Sequence, residues 1–441
     1  MTDFYLTSPR AKALYETYAA DLPLVDFHNH LSVKDLTENR RFTDPGDLWI
    51  APDPYKHRAM RMAGVPEQNI TGGASPEEKF AAWCSIFPDL VGNPLYGWSL
   101  MELREVFGID LVPRRENASG IYAGMQAFLK ENDVTPAWFL QRFKVEKLCP
   151  CLSFWEELPA WAPDGVVVPS LRADDAFLPP RELVAGMKLN GFLTLLEERV
   201  AAFAKAGCRF ADHALDTGFA YYGDDGKNKE RFAVLSRGEA LCAEDKARFA
   251  SFVLTVLLDL YARHGLVVQF HLGALRRTST RLRVLAGPAG GYASAGNPFD
   301  VTALTELLNT VEQTGTLPRV ILFPLDPADT ARLAMLSGSF SKDGARGLVT
   351  PGPAWWWNDH RYGIEQTLEV VAANSLLATF IGMTTDSRSF LSLLRHDVFR
   401  RILCSWLARQ EAENALLAPE EDVARLIRKI CYENAKGAFS E

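Results

Sequence analysis

An α/β fold closed as a (β/α)8 TIM barrel, with a helical insertion between its first and second strands, is predicted by three features of the 441-residue sequence. Short runs rich in Val, Ile, Leu and Phe alternate with longer stretches of helical period, as parallel strands joined by crossover helices do. Eight such runs occur, the number that closes a barrel. Polar residues fall at their carboxyl ends, where barrel chemistry resides; an open doubly wound sheet would gather them at one crevice.

The runs are Leu24 to His30, Val145 to Cys149, Val166 to Leu171, Cys208 to His213, Leu266 to Leu272, Arg319 to Phe323, Gly347 to Thr350, and Thr379 to Thr384. At or just after them stand His28 and His30, Arg172, His213 and Asp216, His271, Trp355 to Asp359, and Asp386 with Arg388. The interval Asp35 to Phe143 is far too long for one crossover and reads as several helices joined by Pro and Gly turns. The expected division is a barrel unit over 1–34 and 144–441 and a helical insertion over 35–143. Inside the insertion, Asp53 and Pro54 are the residue types of an N-cap and a first helical position, which predicts a helix starting there.

Charge argues against nucleic acid as a partner: 47 basic residues face 55 acidic ones, net −8, with no basic block to follow a phosphate backbone. No apolar run approaches a membrane span, and Met1 to Asp21 lacks the pattern of a secretion signal, so a soluble cytoplasmic protein is expected. Seven scattered cysteines, an odd count, read as reduced thiols. Cys149 and Cys151 lie one residue apart at a strand end and read as buried small apolar filling ahead of metal ligands.

Metal chemistry enters through Leu24-Val25-Asp26-Phe27-His28-Asn29-His30. Side chains alternate along a strand, so His28 and His30 face one side and can share an ion. Closure of the barrel makes first and last strands neighbours and brings Asp386 to the pair. Two imidazoles and a carboxylate suit a borderline divalent cation such as zinc, with a position left open. Strand four, with Asp212-His213-Ala214-Leu215-Asp216, offers no lysine, and strand six, with Phe323-Pro324-Leu325-Asp326, no histidine. One ion is therefore favoured over two.

Seven motifs extend this reading: Asp26-Phe27-His28-Asn29-His30-Leu31, Tyr55-Lys56 with Arg58-Ala59-Met60-Arg61, Gly92-Asn93-Pro94-Leu95-Tyr96, Asp212-His213-Ala214-Leu215-Asp216, His271-Leu272-Gly273-Ala274-Leu275-Arg276, Trp356-Trp357-Asn358-Asp359, and Thr385-Asp386-Ser387-Arg388-Ser389-Phe390. In this order, and over nearly the whole chain, they resemble the uronate isomerases, the glucuronate isomerase branch of the amidohydrolase superfamily. The resemblance implies a barrel enzyme of carbohydrate metabolism that interconverts D-glucuronate with D-fructuronate and D-galacturonate with D-tagaturonate, as a cytosolic homo-oligomer. It further implies that His28, His30 and Asp386 hold one divalent metal ion, zinc being expected, and that Tyr55 or Asp386 relays the proton. Arg172 and Arg388 would pair with the sugar-acid carboxylate or the enediolate, since a guanidinium presents a planar fork to a carboxylate. His271 and Trp356 would line the site, while His213 and Asp216 serve either as a structural pair at the barrel mouth or in catalysis.

Three departures alter the substrate shell and leave the metal motif intact. Pro54 stands where the family commonly has a histidine before the tyrosine. Cys149-Pro150-Cys151-Leu152-Ser153-Phe154-Trp155 replaces a Thr-Asp-Asp-Pro-like turn, and Leu171-Arg172-Ala173-Asp174 a Trp-Arg-Pro-Asp-like one. A metal-dependent hydrolase and a sugar-acid binding protein without turnover are the alternatives.

Overall fold

A computed structural model describes residues 3–162, 164–313, 315 and 317–439; the termini of the barrel unit expected from sequence lie outside the described residues. Seven strands form one curled parallel sheet: β1 (Leu24–Asn29), β2 (Val145–Ser153), β3 (Ser170–Arg172), β4 (Phe210–Leu215), β5 (Val267–Leu272), β6 (Val320–Pro324) and β7 (Val349–Pro351). Each pairs with the next in chain order, which is the all-parallel wrap that crossover helices impose.

The eighth run, Thr379 to Thr384, is not a laddered strand. Gly382 takes a positive φ of 87°, which breaks the extended run. Side-chain and backbone groups beyond it bond to β1 irregularly: the His28 N–H donates to Thr384 Oγ1 at 2.9 Å, and the His30 N–H to the Ser387 carbonyl at 2.9 Å. Asp26 fixes this seam by accepting from the Thr385 N–H and the Thr385 hydroxyl, both at 2.7 Å. On the far side Thr379 lies against Gly347, just before β7. The segment so occupies the eighth place in the ring.

The barrel floor is a cluster of Val25, Phe27, Cys149, Val168, Phe210, Val267, Ile321 and Phe323, with Phe27 and Phe210 stacked at 5.3 Å. Burying each large apolar side chain contributes roughly 1.5–3 kcal/mol, so the floor is a packed plug and the polar residues above it open only upward. Helices between β1 and β2, from Val33–Glu38 to Pro136–Arg142, pack Trp49, Phe80, Trp83 and Phe139 in one core with Phe390 and Leu403 from near the C-terminus.

Three helices position side chains at the mouth. Helix α1 (Pro54–Met62) starts as the sequence predicts, with Asp53 accepting from the N–H groups of Tyr55 and Lys56. Helix α2 (Pro94–Phe107) is capped by Asn93, and helix α3 is Arg395–Ala412. Buried Lys56 ties α1 to α2, lying 2.6 Å from Asp53 and 3.5 Å from Glu102. Unpaired, that ammonium would be strongly destabilising at this depth. No helix among the described residues is long and apolar enough to cross a membrane.

Candidate metal and substrate site

At the open end of β1, the Nε2 atoms of His28 and His30 each lie 3.1 Å from one oxygen, Oδ1 of Asp386. His28 is buried, whereas His30 is partly open to the cavity above. Asp386 has a left-handed φ of 46°, a conformation Asp tolerates better than most residues. Its N–H donates to the His28 carbonyl at 3.1 Å, and Trp355 donates its indole N–H to Oδ2. Burial pushes the Asp386 carboxyl up, but the bonds from His28 and His30 outweigh it and hold the group well below its ordinary range.

Two ring nitrogens at 3.1 Å from a carboxylate oxygen need a proton or a cation to hold them together. The spacing is close to the distance of about 3.4 Å between neighbouring ligands on a tetrahedral ion with bonds of roughly 2.0–2.1 Å. The donor set therefore fits a small divalent cation.

Beneath His28 lies a second layer of polar groups. Asp212 is fully buried on β4, with Oδ2 3.2 Å from Arg172 and 3.9 Å from His271 Nδ1. Cys151, at the end of β2, places Sγ 3.4 Å from His28 Nδ1 and 3.5 Å from Asp212 Oδ1. Neither ring nitrogen of His271 has a hydrogen-bond partner, and its ring stands 4.5 Å from that of His28. Burial drives the His271 pKa well below the ordinary histidine value, leaving a neutral imidazole. Two triads of potential ligands result, His28 with His30 and Cys151, and His28 with Asp212 and His271. The sequence assigned Asp212 no role of its own, and Cys151, read there as apolar filling ahead of a metal ligand, instead stands in this polar layer.

Above these groups opens a cavity of about 710 Å³, walled by His30, Tyr55, Arg172, Trp356, Trp357 and Arg388 among others. Arg172 is already committed, reaching Asp174 at 3.0 Å and Asp212 at 3.2 Å. Arg388 has no ion-pair or hydrogen-bond partner among the described residues; its guanidinium is the free one beside Asp386. Tyr55 donates its hydroxyl proton to Asp359 Oδ1 at 2.7 Å, and Asp359 also accepts from Arg395 at 3.1 Å. Burial, then the Asp359 charge, raises the Tyr55 pKa well above its ordinary value, so the phenol stays protonated.

Three expectations change on this geometry. The eighth strand is the irregular segment described above. His213 and Asp216 do not pair with each other: His213 points outward to the Tyr261 hydroxyl at 3.0 Å, while Asp216 at the rim accepts from Arg276 at 2.9 Å. The chain turns at Trp356 and Trp357, so all three adjacent tryptophans border the site. Trp356 and Trp357 wall the cavity and Trp355 holds Asp386 from below. His271 sits under His28 and is not part of the cavity wall.

Residues 1–439 match the family model described as glucuronate isomerase. The uronate isomerase of Geobacillus thermodenitrificans (strain NG80-2) is 36% identical over 462 residues, covering 99% of this chain and 98% of that protein. Among solved structures, the uronate isomerase of Thermotoga maritima superposes with a TM-score of 0.90 at 30% identity, covering 99% of this chain and 98% of that one. The glucuronate isomerase of Caulobacter crescentus does so with a TM-score of 0.89 at 26% identity, covering 100% and 96%.

Proposed function

The chain belongs to the glucuronate isomerase family, and on that premise we propose that it interconverts D-glucuronate with D-fructuronate and D-galacturonate with D-tagaturonate. The observation that carries this reading is the meeting, in one cavity, of the His28, His30 and Asp386 cluster with the uncommitted guanidinium of Arg388. A cation-binding cluster serves the sugar's reacting oxygens, and a free guanidinium serves its carboxylate. The family assignment also supports a cytoplasmic setting and a homo-oligomeric assembly.

His28, His30 and Asp386 hold one divalent ion in this reading, and a set of two imidazoles and a carboxylate suits zinc. When bound, the ion supplies positive charge beside the oxygens that become anionic during enolisation. Arg388 anchors the distal carboxylate through a planar two-point contact. Arg172, shared with Asp174 and Asp212, lends a weaker positive field from the carboxyl end of β3. Isomerisation removes the C2 proton, moves a proton from O2 to O1, and returns one to C1. The ionised Asp386 carboxylate takes the carbon proton. The protonated Tyr55 hydroxyl, aimed by Asp359, exchanges protons at the oxygens. Trp356 and Trp357 cover the site with apolar surface that limits water.

Incubating zinc-supplied protein with D-glucuronate and with D-galacturonate, and following the ketose by NMR, tests this. Ketose from at least one substrate is expected. No ketose from either, with hydrolysis of a lactone or amide panel, would replace the isomerase by a hydrolase.

A further inference from the structure

We propose that Cys151 is a positioning residue whose thiol links Asp212 to His28 and fixes the imidazole in the tautomer that offers Nε2 to the metal position. The inference rests on the metal-dependent reading above. Cys149 and Cys151 are two apart on β2 and share its inner face, but they lie in different layers. Cys149 is packed in the barrel floor with Val25 and Phe27, while Cys151 reaches the polar layer above and borders the cavity.

The assignment follows from counting protons. A thiol has one to give. Asp212, beside Arg172 at 3.2 Å, is an ionised carboxylate and can only accept, so the Cys151 proton goes to Oδ1 at 3.5 Å. The sulfur that faces His28 Nδ1 at 3.4 Å is then an acceptor, and Nδ1 must carry the hydrogen. A neutral imidazole has one N–H, so Nε2 is left with its lone pair. That lone pair points to the place where His30 Nε2 and Asp386 Oδ1 converge. His271, whose ring also lies against His28, makes no hydrogen bond through either nitrogen and does not compete for Nδ1. Carboxylate partners behind a metal-binding histidine act in this way generally, and losing them costs roughly 10- to 100-fold in metal affinity. Here sulfur stands between the carboxylate and the imidazole, in contact with both.

Zinc affinity, measured by competition with a chromophoric chelator, separates the outcomes. Cys151→Ala is expected to bind zinc about 10- to 100-fold more weakly than the parent, with thermal unfolding of the metal-free protein unchanged. Cys151→Ser, which keeps one donor and an acceptor, should recover most of that loss. Parent affinity in Cys151→Ala, alongside lost binding in His28→Ala, overturns the role of Cys151 and leaves the metal site standing. Parent affinity in His28→Ala removes the metal site itself and this inference with it. Should Cys151→Ala fail to fold, long-range ¹⁵N NMR of His28 in the zinc-loaded parent decides. A hydrogen on Nδ1 with Nε2 bound to metal supports the assignment, and zinc on Nδ1 contradicts it.

Discussion

Asp386 grips His28 at both ends: its backbone N–H donates to the His28 carbonyl at 3.1 Å, and its Oδ1 lies 3.1 Å from the Nε2 of the same residue. The carboxylate is thus positioned by the backbone seam that closes the barrel, and Asp386→Asn leaves that seam in place. Asp386→Asn is expected to weaken zinc binding beyond the roughly 10- to 100-fold typical of outer-sphere changes, with ketose formation lost. Chelator competition and circular dichroism together check this.

The two arginines should separate cleanly. Arg388→Ala removes a charged anchor with no other partner among the described residues, so kcat/KM should fall about 10- to 100-fold, matching roughly 1.5–3 kcal/mol for a charge-assisted bond. Thermal unfolding should not move. Arg172→Ala strands the fully buried Asp212 carboxylate, and stability should drop by roughly 3 kcal/mol together with weaker binding. Denaturant titration of both variants checks the contrast.

Tyr55→Phe keeps the ring against Trp357 at 4.8 Å and under the Arg395 guanidinium at 4.6 Å, and removes only the hydroxyl bonded to Asp359. A lost proton-transfer group should lower kcat by about 100- to 10,000-fold with KM nearly constant. Steady-state kinetics on either hexuronate decides it.

His57, on the buried side of α1 with Nε2 3.0 Å from the Ile50 carbonyl, is pushed down to about 4 chiefly by burial. Between that value and the unfolded value of about 6.5, the unfolded chain binds a proton that folded His57 refuses. Acidification through this window therefore favours unfolding, by on the order of 3 kcal/mol when complete, and the stability is fully present only above about pH 6.5. His57→Gln should flatten the slope of unfolding free energy against pH from 6.5 to 4.

What the sequence discloses follows the reach of local periodicity. His28 and His30 are legible because strand alternation alone aligns them, and Asp386 because ring closure makes its neighbours predictable. Asp212 was not legible, since both faces of β4 are buried and nothing in Phe210-Ala211-Asp212-His213 marks which is inner. His213, the more conspicuous residue type, faces outward to Tyr261. Cys151 and Trp355 gain their contacts from a strand end and a turn, whose reach no period encodes. The pairing of Tyr55 with Asp359 spans 304 residues and depends on how the helices before β2 dock against α3. The eighth segment read as a strand because it is apolar and β-branched, yet it meets β1 through the Thr384 hydroxyl where a backbone ladder was expected.

Solvent exchange tests the central claim most directly. With zinc-loaded protein and D-glucuronate in D₂O, followed by ¹H NMR, deuterium should enter C1 of the ketose and C2 of the recovered aldose. Asp386→Asn should show neither under the same conditions. Absence of both ketose and deuterium from the parent, or undiminished exchange in Asp386→Asn, would contradict the account.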